Sequence, residues 1–364
     1  MGSRSSPTFF YLKQIIYSIL KTLKTVLYLL LVSFAITSCG TIFDYEGDCS
    51  VNHSIKFKYD MNMLFADAFA NTVTYVNLYA FDVETGKLVA SYSEEGDALA
   101  DPNYTMPIDL TPGEYDLVAW CGDALTDDNF LLTPTVVAET LRQQLMCKIG
   151  CGELVGDTLH IKNDIGLLWH GAVRVNLIDE PGNHVNVLSL TKNTNNVRIL
   201  LQNMSGKELN PDIFEFKIID NNGLFNSDNK VIKDHDLIYY PWAVTLGETS
   251  MDTAVVQNMP LLSRTTTLSA LLAEFTISRL VVENSPTLVV YKKDRNRKVL
   301  SIPLKDYILM AKGQTHQNLS DQEYLDREDE FVMTFFLDEK GDWVSSRVII
   351  NSWHLILQNE GDLN

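Results

Sequence analysis

Apolar and polar residues alternate along much of this chain. Val51, His53, Ile55, Phe57 and Tyr59 stand between Asn52, Ser54, Lys56 and Lys58, the period of two that turns one face of a strand toward a core. Val73–Phe81 reads as a second strand, the stretch Asp82–Lys87 as a hairpin turn, and Leu88–Tyr92 as the returning strand. Tyr104–Leu110 and Glu114–Trp120 follow, with Thr111-Pro112-Gly113 between them; proline presets its φ and glycine tolerates positive φ, so that tripeptide predicts a turn. Met61–Asn71 and Val137–Met146 are the two stretches whose composition predicts helix. From Ala172 the alternation resumes in Val173, Val175 and Leu177, closed by Glu180-Pro181-Gly182-Asn183. Val197–Gln202, Phe214–Ile219, Leu280–Tyr291, Phe331–Phe336, Val348–Ile350 and Trp353–Gln358 complete the strand list. The last is expected to be an internal strand rather than one donated to a neighbour. Many short strands with few helical stretches predict an all-β protein of antiparallel β-sandwich type. Two sandwiches are expected, meeting near residues 165–172, as 49–168 and 169–364. The halves show no internal repeat.

The first 38 residues follow a different pattern. Arg4, Lys13, Lys21 and Lys24 precede an apolar run through Val26, Leu27, Leu29–Val32, Phe34 and Ile36, with no acidic residue. That order is the layout of a secretory signal peptide. Ile36-Thr37-Ser38-Cys39-Gly40 resembles a lipobox, the short-residue motif before a cysteine that bacterial enzymes acylate. Residues 1–38 are therefore expected to be removed and Cys39 to carry lipid. Residues 39–48 are read as a tether, made acidic by Asp44, Glu46 and Asp48. Acyl chains contribute about 0.8 kcal/mol per buried CH2, and stable anchoring takes more than one chain; an acylated N-terminal cysteine supplies them. The expected location is the outer membrane, lipid-anchored and facing the cell exterior.

Charge and side-chain chemistry narrow the functional classes. The formal net charge of −18 repels nucleic acid, so no nucleic-acid partner is expected. Of five cysteines, Cys39 is assigned to lipid, and Cys49, Cys121, Cys147 and Cys151 remain. In an oxidising compartment those four allow three disulfide pairings. The seven histidines are scattered without a His-Glu-x-x-His arrangement, so no metal is expected. Neither a nucleophile elbow nor a phosphate-binding glycine loop occurs, and no cofactor or catalytic residue is assigned. With 47 acidic residues, some carboxylate pair always mimics glycosidase acids, so such a pair carries no information. Asp220-Asn221-Asn222-Gly223 and Asp228-Asn229 have oxygen ligands suited to calcium but read better as turns. His170 is expected to be a hydrogen-bonded linker residue.

Several strings, in order along the chain, resemble one family. They are Glu46-Gly47-Asp48-Cys49-Ser50-Val51 just after the lipobox, Phe57-Lys58-Tyr59-Asp60, Ala66-Asp67-Ala68-Phe69, and Leu78-Tyr79-Ala80-Phe81-Asp82. Leu110-Thr111-Pro112-Gly113-Glu114-Tyr115 runs on to Leu117-Val118-Ala119-Trp120, then come Leu168-Trp169-His170-Gly171, Leu190–Asn196 and Tyr240-Pro241. Thr334-Phe335-Phe336-Leu337-Asp338 and Ile350-Asn351-Ser352-Trp353 close the series. The chain resembles the FimB-type, or Mfa-like, fimbrial anchor lipoproteins. The resemblance implies two transthyretin-like sandwiches and a non-enzymatic role at the base of a type V pilus. There the protein would hold the shaft at the membrane and limit its length. The implied partner is a fimbrial shaft subunit, bound by β-strand addition. The resemblance also implies a disulfide between Cys49 and Cys147, with Cys121 and Cys151 as an added pair. The competing reading is a surface glycan-binding lipoprotein with Tyr239, Tyr240 and Trp242 as platforms; an acidic glycosidase is a third.

Overall fold

A computed structural model of the chain describes residues 16–27, 50–123, 129–251, 266–351 and 353–356. Residues 16–27 are a helix within a unit of their own, separate from the body Val51–Asn364. No helix among the described residues is long and apolar enough to cross a membrane.

The first sandwich sets a three-stranded sheet over a five-stranded one. The three-stranded sheet places β1 (Val51–Lys58) between β11 (Gly182–Ser189) and β4 (Met106–Ile108). The five-stranded sheet runs β12 (Thr191–Lys192), β10 (Leu168–Leu177), β5 (Gly113–Gly122), β2 (Tyr75–Asp82), β3 (Leu88–Glu95). The alternation seen in the sequence decides what faces inward: Ile55 and Phe57 of β1 pack against Leu78, Ala80, Leu117, Ala119 and Cys121. The opposite face of the same sheet, with Tyr79, Phe81, Val118 and Trp120, belongs to the second core. Both faces of β2 and β5 are thus buried, which accounts for their near-continuous apolar runs.

The second sandwich has two six-stranded sheets. One runs β17 (Ala243–Met251), β18 (Thr266–Ser278), β13 (Thr194–Asn203), β21 (Glu330–Leu337), β22 (Trp343–Ile350), β23 (Trp353–Ile356). The other runs β20 (Arg297–Pro303), β19 (Thr287–Lys292), β14 (Phe214–Asp220), β16 (Asp236–Tyr239), β9 (Thr158–Ile161), β8 (Glu153–Val155). A three-stranded sheet of β15 (Leu224–Asn226), β7 (Met146–Ile149) and β6 (Phe130–Thr133) lends Phe130, Cys147, Ile149 and Phe225 to that core.

The protein is all-β, as the alternation predicts, but several details differ. The division expected at 168/169 falls at the start of β10, which pairs along its length with β5 and belongs to the first sandwich. Conversely β6–β9 join the second core although they precede β10. Among the described residues three pairs are parallel, β1 with β11, β13 with β21 and β9 with β16, because long crossovers bring strands back in the same direction. Met61–Asn71 is helical only at its end, where a single turn spans Phe69–Thr72. The Asp67 carboxylate accepts from the backbone N–H of Tyr59 and Phe69, and the Asn62 amide donates to the Tyr59 and Ala66 carbonyls. These local bonds hold a loop in place of a helix. Val137–Met146 is likewise a turn, a short 3-10 segment at Arg142–Gln144 and the first residue of β7. The strand expected over Leu280–Tyr291 begins only at Thr287. Ahead of it the Asn284 amide donates to Asp220 and to the Asn221 carbonyl, 3.0 Å each, and fixes a connection. β23 pairs with β22 of its own chain but lies at the sheet edge; Leu357 and Gln358 lie outside the described residues.

Candidate functional site

The string Leu190–Asn196 forms the joint between the sandwiches. β12 caps one edge of the first sheet by pairing with Trp169 and His170. Lys192 is buried, ion-pairs with Asp329, and lies 6.0 Å above the Trp169 ring. Asn193 and Asn229 exchange amide hydrogen bonds at 2.5 and 3.0 Å. The Arg279 backbone N–H donates to the Asn193 carbonyl, and its guanidinium donates to the Asn229 carbonyl. That guanidinium also grips Asp326 through two bonds of 2.7 Å. Arg327, next along the helix Asp321–Arg327, donates to the carbonyls of Asp60 and Asn62 in the first sandwich. Buried charges need partners and satisfied donors, and this cluster provides them across the joint.

His170 belongs to the same joint. It is 4% exposed, and its Nε2 donates to the Ser227 carbonyl at 3.1 Å, with the Trp120 ring 4.5 Å away. Burial pushes its pKa down to about 3, and the hydrogen bond to Ser227 only partly opposes this. The ring is neutral and structural, which agrees with the expectation of a hydrogen-bonded linker residue. Gly171 follows because no side chain fits there: a methyl would strike Leu188 and come within 2.6 Å of the Ser189 carbonyl oxygen.

Among the described residues the cysteines form no bridge. Cys39 and Cys49 lie outside the described residues. Cys121, Cys147 and Cys151 are free thiols. Cys121 packs in the first core and Cys151 against the second, so the expected Cys121–Cys151 bridge would have to cross between cores. Cys147 is buried in the second core, and its expected partner Cys49 lies outside the described residues. Strand parity, not proximity in sequence, sets these positions. Burial pushes the Cys121 and Cys147 thiols up, so both stay protonated and unreactive.

The Asp220–Gly223 segment is also committed internally. Asn222 donates to the Ser278 and Arg279 carbonyls and accepts from the Tyr239 hydroxyl. Asp220 is pushed up to about 6 by burial. Among the described residues no group of three or more His, Cys, Asp or Glu side chains has the geometry to hold a metal ion. Of the candidate aromatic platforms, Tyr239 is buried and Tyr240 stacks on His160 at 5.8 Å. Trp242 is 43% exposed and borders a pocket of about 220 Å³ shared with Asp164, Arg198 and Glu274.

The remaining chemistry lies at the sheet edges. β20 is guarded by Arg297, Lys298 and Pro303, and β4 is three residues long with Pro107 at its centre. These are ordinary protections against edge-to-edge pairing. β3 has eight residues and no lysine, arginine or proline. Sequence reasoning named neither the β3 edge nor Arg279, Asp326 and Asp329. The quoted string Leu190–Asn196 was the signal for the joint, but nothing in it identified its partners.

An all-β body with a buried polar cluster between two cores defines a fold class and leaves the role to comparison with known proteins. The family model of fimbrillin-A associated anchor proteins Mfa1 and Mfa2 matches residues 45–359, and the chain belongs to that family. It is therefore a fimbria-associated protein of the cell surface. A candidate adhesin from Bacteroides thetaiotaomicron is 31% identical, with a TM-score of 0.72 over 84% of this chain and 97% of the other. A candidate polysaccharide-binding protein of the same organism is 30% identical, with a TM-score of 0.71 over 85% and 99%. The fimbrial anchor protein Mfa2 from Porphyromonas gingivalis shares the fold at 19% identity, with a TM-score of 0.60 over 84% and 99%. Comparison with curated protein sequences finds no match.

Proposed function

We propose that this protein is the lipid-anchored base of a type V pilus: it holds the fimbrial shaft at the outer membrane and limits shaft length. The observation that carries this reading is the family match from residue 45 onward, directly behind Ile36-Thr37-Ser38-Cys39-Gly40. Acylation of Cys39 would supply the membrane attachment, and the tether 39–48 the reach from it. The body binds the shaft subunit through β-strand addition, in which backbone hydrogen bonds give affinity and alternating side chains give register. The joint at Lys192, Arg279 and Asp326 would carry tension between the two ends. Two measurements test the reading. A Cys39→Ala variant is expected in the soluble fraction; retention in the outer membrane after a salt wash would refute lipid anchoring. A deletion strain is expected to shed long fimbriae into the medium, and cell-bound fimbriae of normal length would refute the anchoring role.

One observation favours a second reading, glycan binding. Trp242 presents an exposed ring beside carboxylates and a guanidinium, the combination that stacks on and hydrogen-bonds to a sugar. Titrating the protein with soluble polysaccharide while following tryptophan emission tests it; a response abolished in Trp242→Ala supports this reading, and no response in the native chain removes it.

A further inference from the structure

We infer that the open edge of β3, over residues 89–95, is the strand-accepting groove of this protein. The inference rests on the anchor reading and locates the contact that reading requires. The first observation is an interrupted ladder. At its start the β3 edge is already paired: the Leu88 N–H donates to the Thr140 carbonyl and the Arg142 N–H to the Gly86 carbonyl, each at 2.9 Å. Lys87 and Leu141 form an antiparallel bridge between them. The pairing chain then leaves. Thr140 closes a turn on Val137, its N–H donating to the Val137 carbonyl at 2.8 Å and its hydroxyl accepting from the Val137 N–H at 2.9 Å. The segment that would have continued along β3 stands away from it as a facing wall.

The second observation is the cleft so created. It holds about 470 Å³ between β3 and Val136–Ala138, with Tyr79 and Asn77 of β2 also lining it. Val89 and Val137 are 48% and 55% exposed on its two sides, and no ionised side chain lines it. An edge strand offers a row of unpaired N–H and C=O groups, and here a wall beside it adds pockets for alternate side chains. At about 3.3 Å per residue, the open length suits a segment of roughly six residues.

The occupant is an extended segment of a partner fimbrial subunit. It enters antiparallel to β3, in line with the ladder that residues 140–142 begin. Its C-terminal end meets the Val137–Thr140 turn. Its N-terminal end lies by Glu94, Glu95 and Asp97 at the far end of β3, so a basic residue there gives charge complementarity. Small or apolar side chains at alternate positions fit between Val89 and Val137.

The experiment uses the full-length chain and fimbriae sheared from the parent strain. Val89→Lys combined with Val137→Asp charges both sides of the groove at exposed positions. Binding to immobilised fimbriae is expected to weaken at least about tenfold, since each tenfold corresponds to about 1.4 kcal/mol. Val185→Asp, on the exposed face of β11, is the control and should bind as the native chain does. Hydrogen exchange at residues 90–95 should slow on mixing native chain with fimbriae. Native-like binding by the groove variant, or weakening only by Val185→Asp, would overturn the inference. So would self-association of the native chain, seen by sedimentation and abolished by the groove variant, because the occupant would then be a second copy. If the native chain fails to bind fimbriae, the groove falls as a shaft site, and the deletion strain shows whether the anchor reading falls too: shed fimbriae would spare it, and cell-bound fimbriae would not.

Discussion

The two edges of the five-stranded sheet have opposite fates. At one edge, β12 closes β10 and hands the chain straight into the joint, where Lys192 meets Asp329 and Asn193 meets Asn229. At the other edge, β3 is paired among the described residues through residue 88 and then stands beside a cleft. Both edges belong to one sheet and one core, so their difference is not one of propensity. The closed edge spends its polar groups inside the molecule and gains rigidity between sandwiches. The edge of β3 carries no lysine, arginine or proline to blunt it, and its charges, Glu94 and Glu95, stand only at its far end.

The largest effect that separates the edges is expected at the closed one. Arg279 and Asp326 are only 12% and 11% exposed, so Asp326→Ala leaves a buried guanidinium without its counter-charge. Losing one partner of such a pair costs about 3–5 kcal/mol, and the urea midpoint should fall accordingly. Replacing both partners with Met and Leu should recover much of the loss; if the single variant unfolds like the native chain, the joint is not what holds the sandwiches together.

Acid should loosen the same edge through His170. Its folded pKa of about 3 lies below the ordinary value of 6.5, so below that value the unfolded chain takes up a proton that the folded chain refuses. Stability from this group is therefore intact above about pH 6.5 and is lost as pH falls toward 3, at up to about 1.4 kcal/mol per pH unit. His170→Gln, compared with the native chain at pH 7 and pH 4.5, should show a shallower acid loss. An equal loss in both proteins would assign the acid sensitivity elsewhere. The open edge should be the least costly to change. Val89→Lys with Val137→Asp alters exposed side chains only, so the unfolding free energy should change by no more than about 0.5 kcal/mol per substitution. A large drop would mean that the groove is part of the core and not a docking surface.

Much of this molecule was readable from alternation, and the failures have a common cause. β1 and β14 lie where the period of two predicts, because a half-buried strand needs an apolar face and one is visible in the residues; β2 and β5 are legible instead as apolar runs bounded by turns. The helices expected at 61–71 and 137–146 failed because Asp67, Asn62 and Thr140 bond locally to the backbone and hold loops. Composition does not show which of two local hydrogen-bonding options wins. The added pair of Cys121 with Cys151 meets a different obstacle: the two side chains pack in different cores, which no local pattern shows. Trp242 was named together with Tyr239 and Tyr240, yet only burial separated the exposed ring from the two packed ones.

The sequence by itself determined the all-β class, the export-like start with Cys39 behind its short-residue motif, and the ordered strings that mark a fimbrial anchor. Each of these is a local property, written in neighbouring residues. Only the tertiary structure decided that residues 130–161 belong to the second core, that Leu190–Asn196 is a joint whose partners lie at residues 229, 279, 326 and 329, and that one sheet edge is closed while the other stands open. Alternation tells which face of a strand is buried but not which strand lies beside it. Neighbours in a sheet are chosen by long-range packing, and an open edge is defined by the neighbour it lacks.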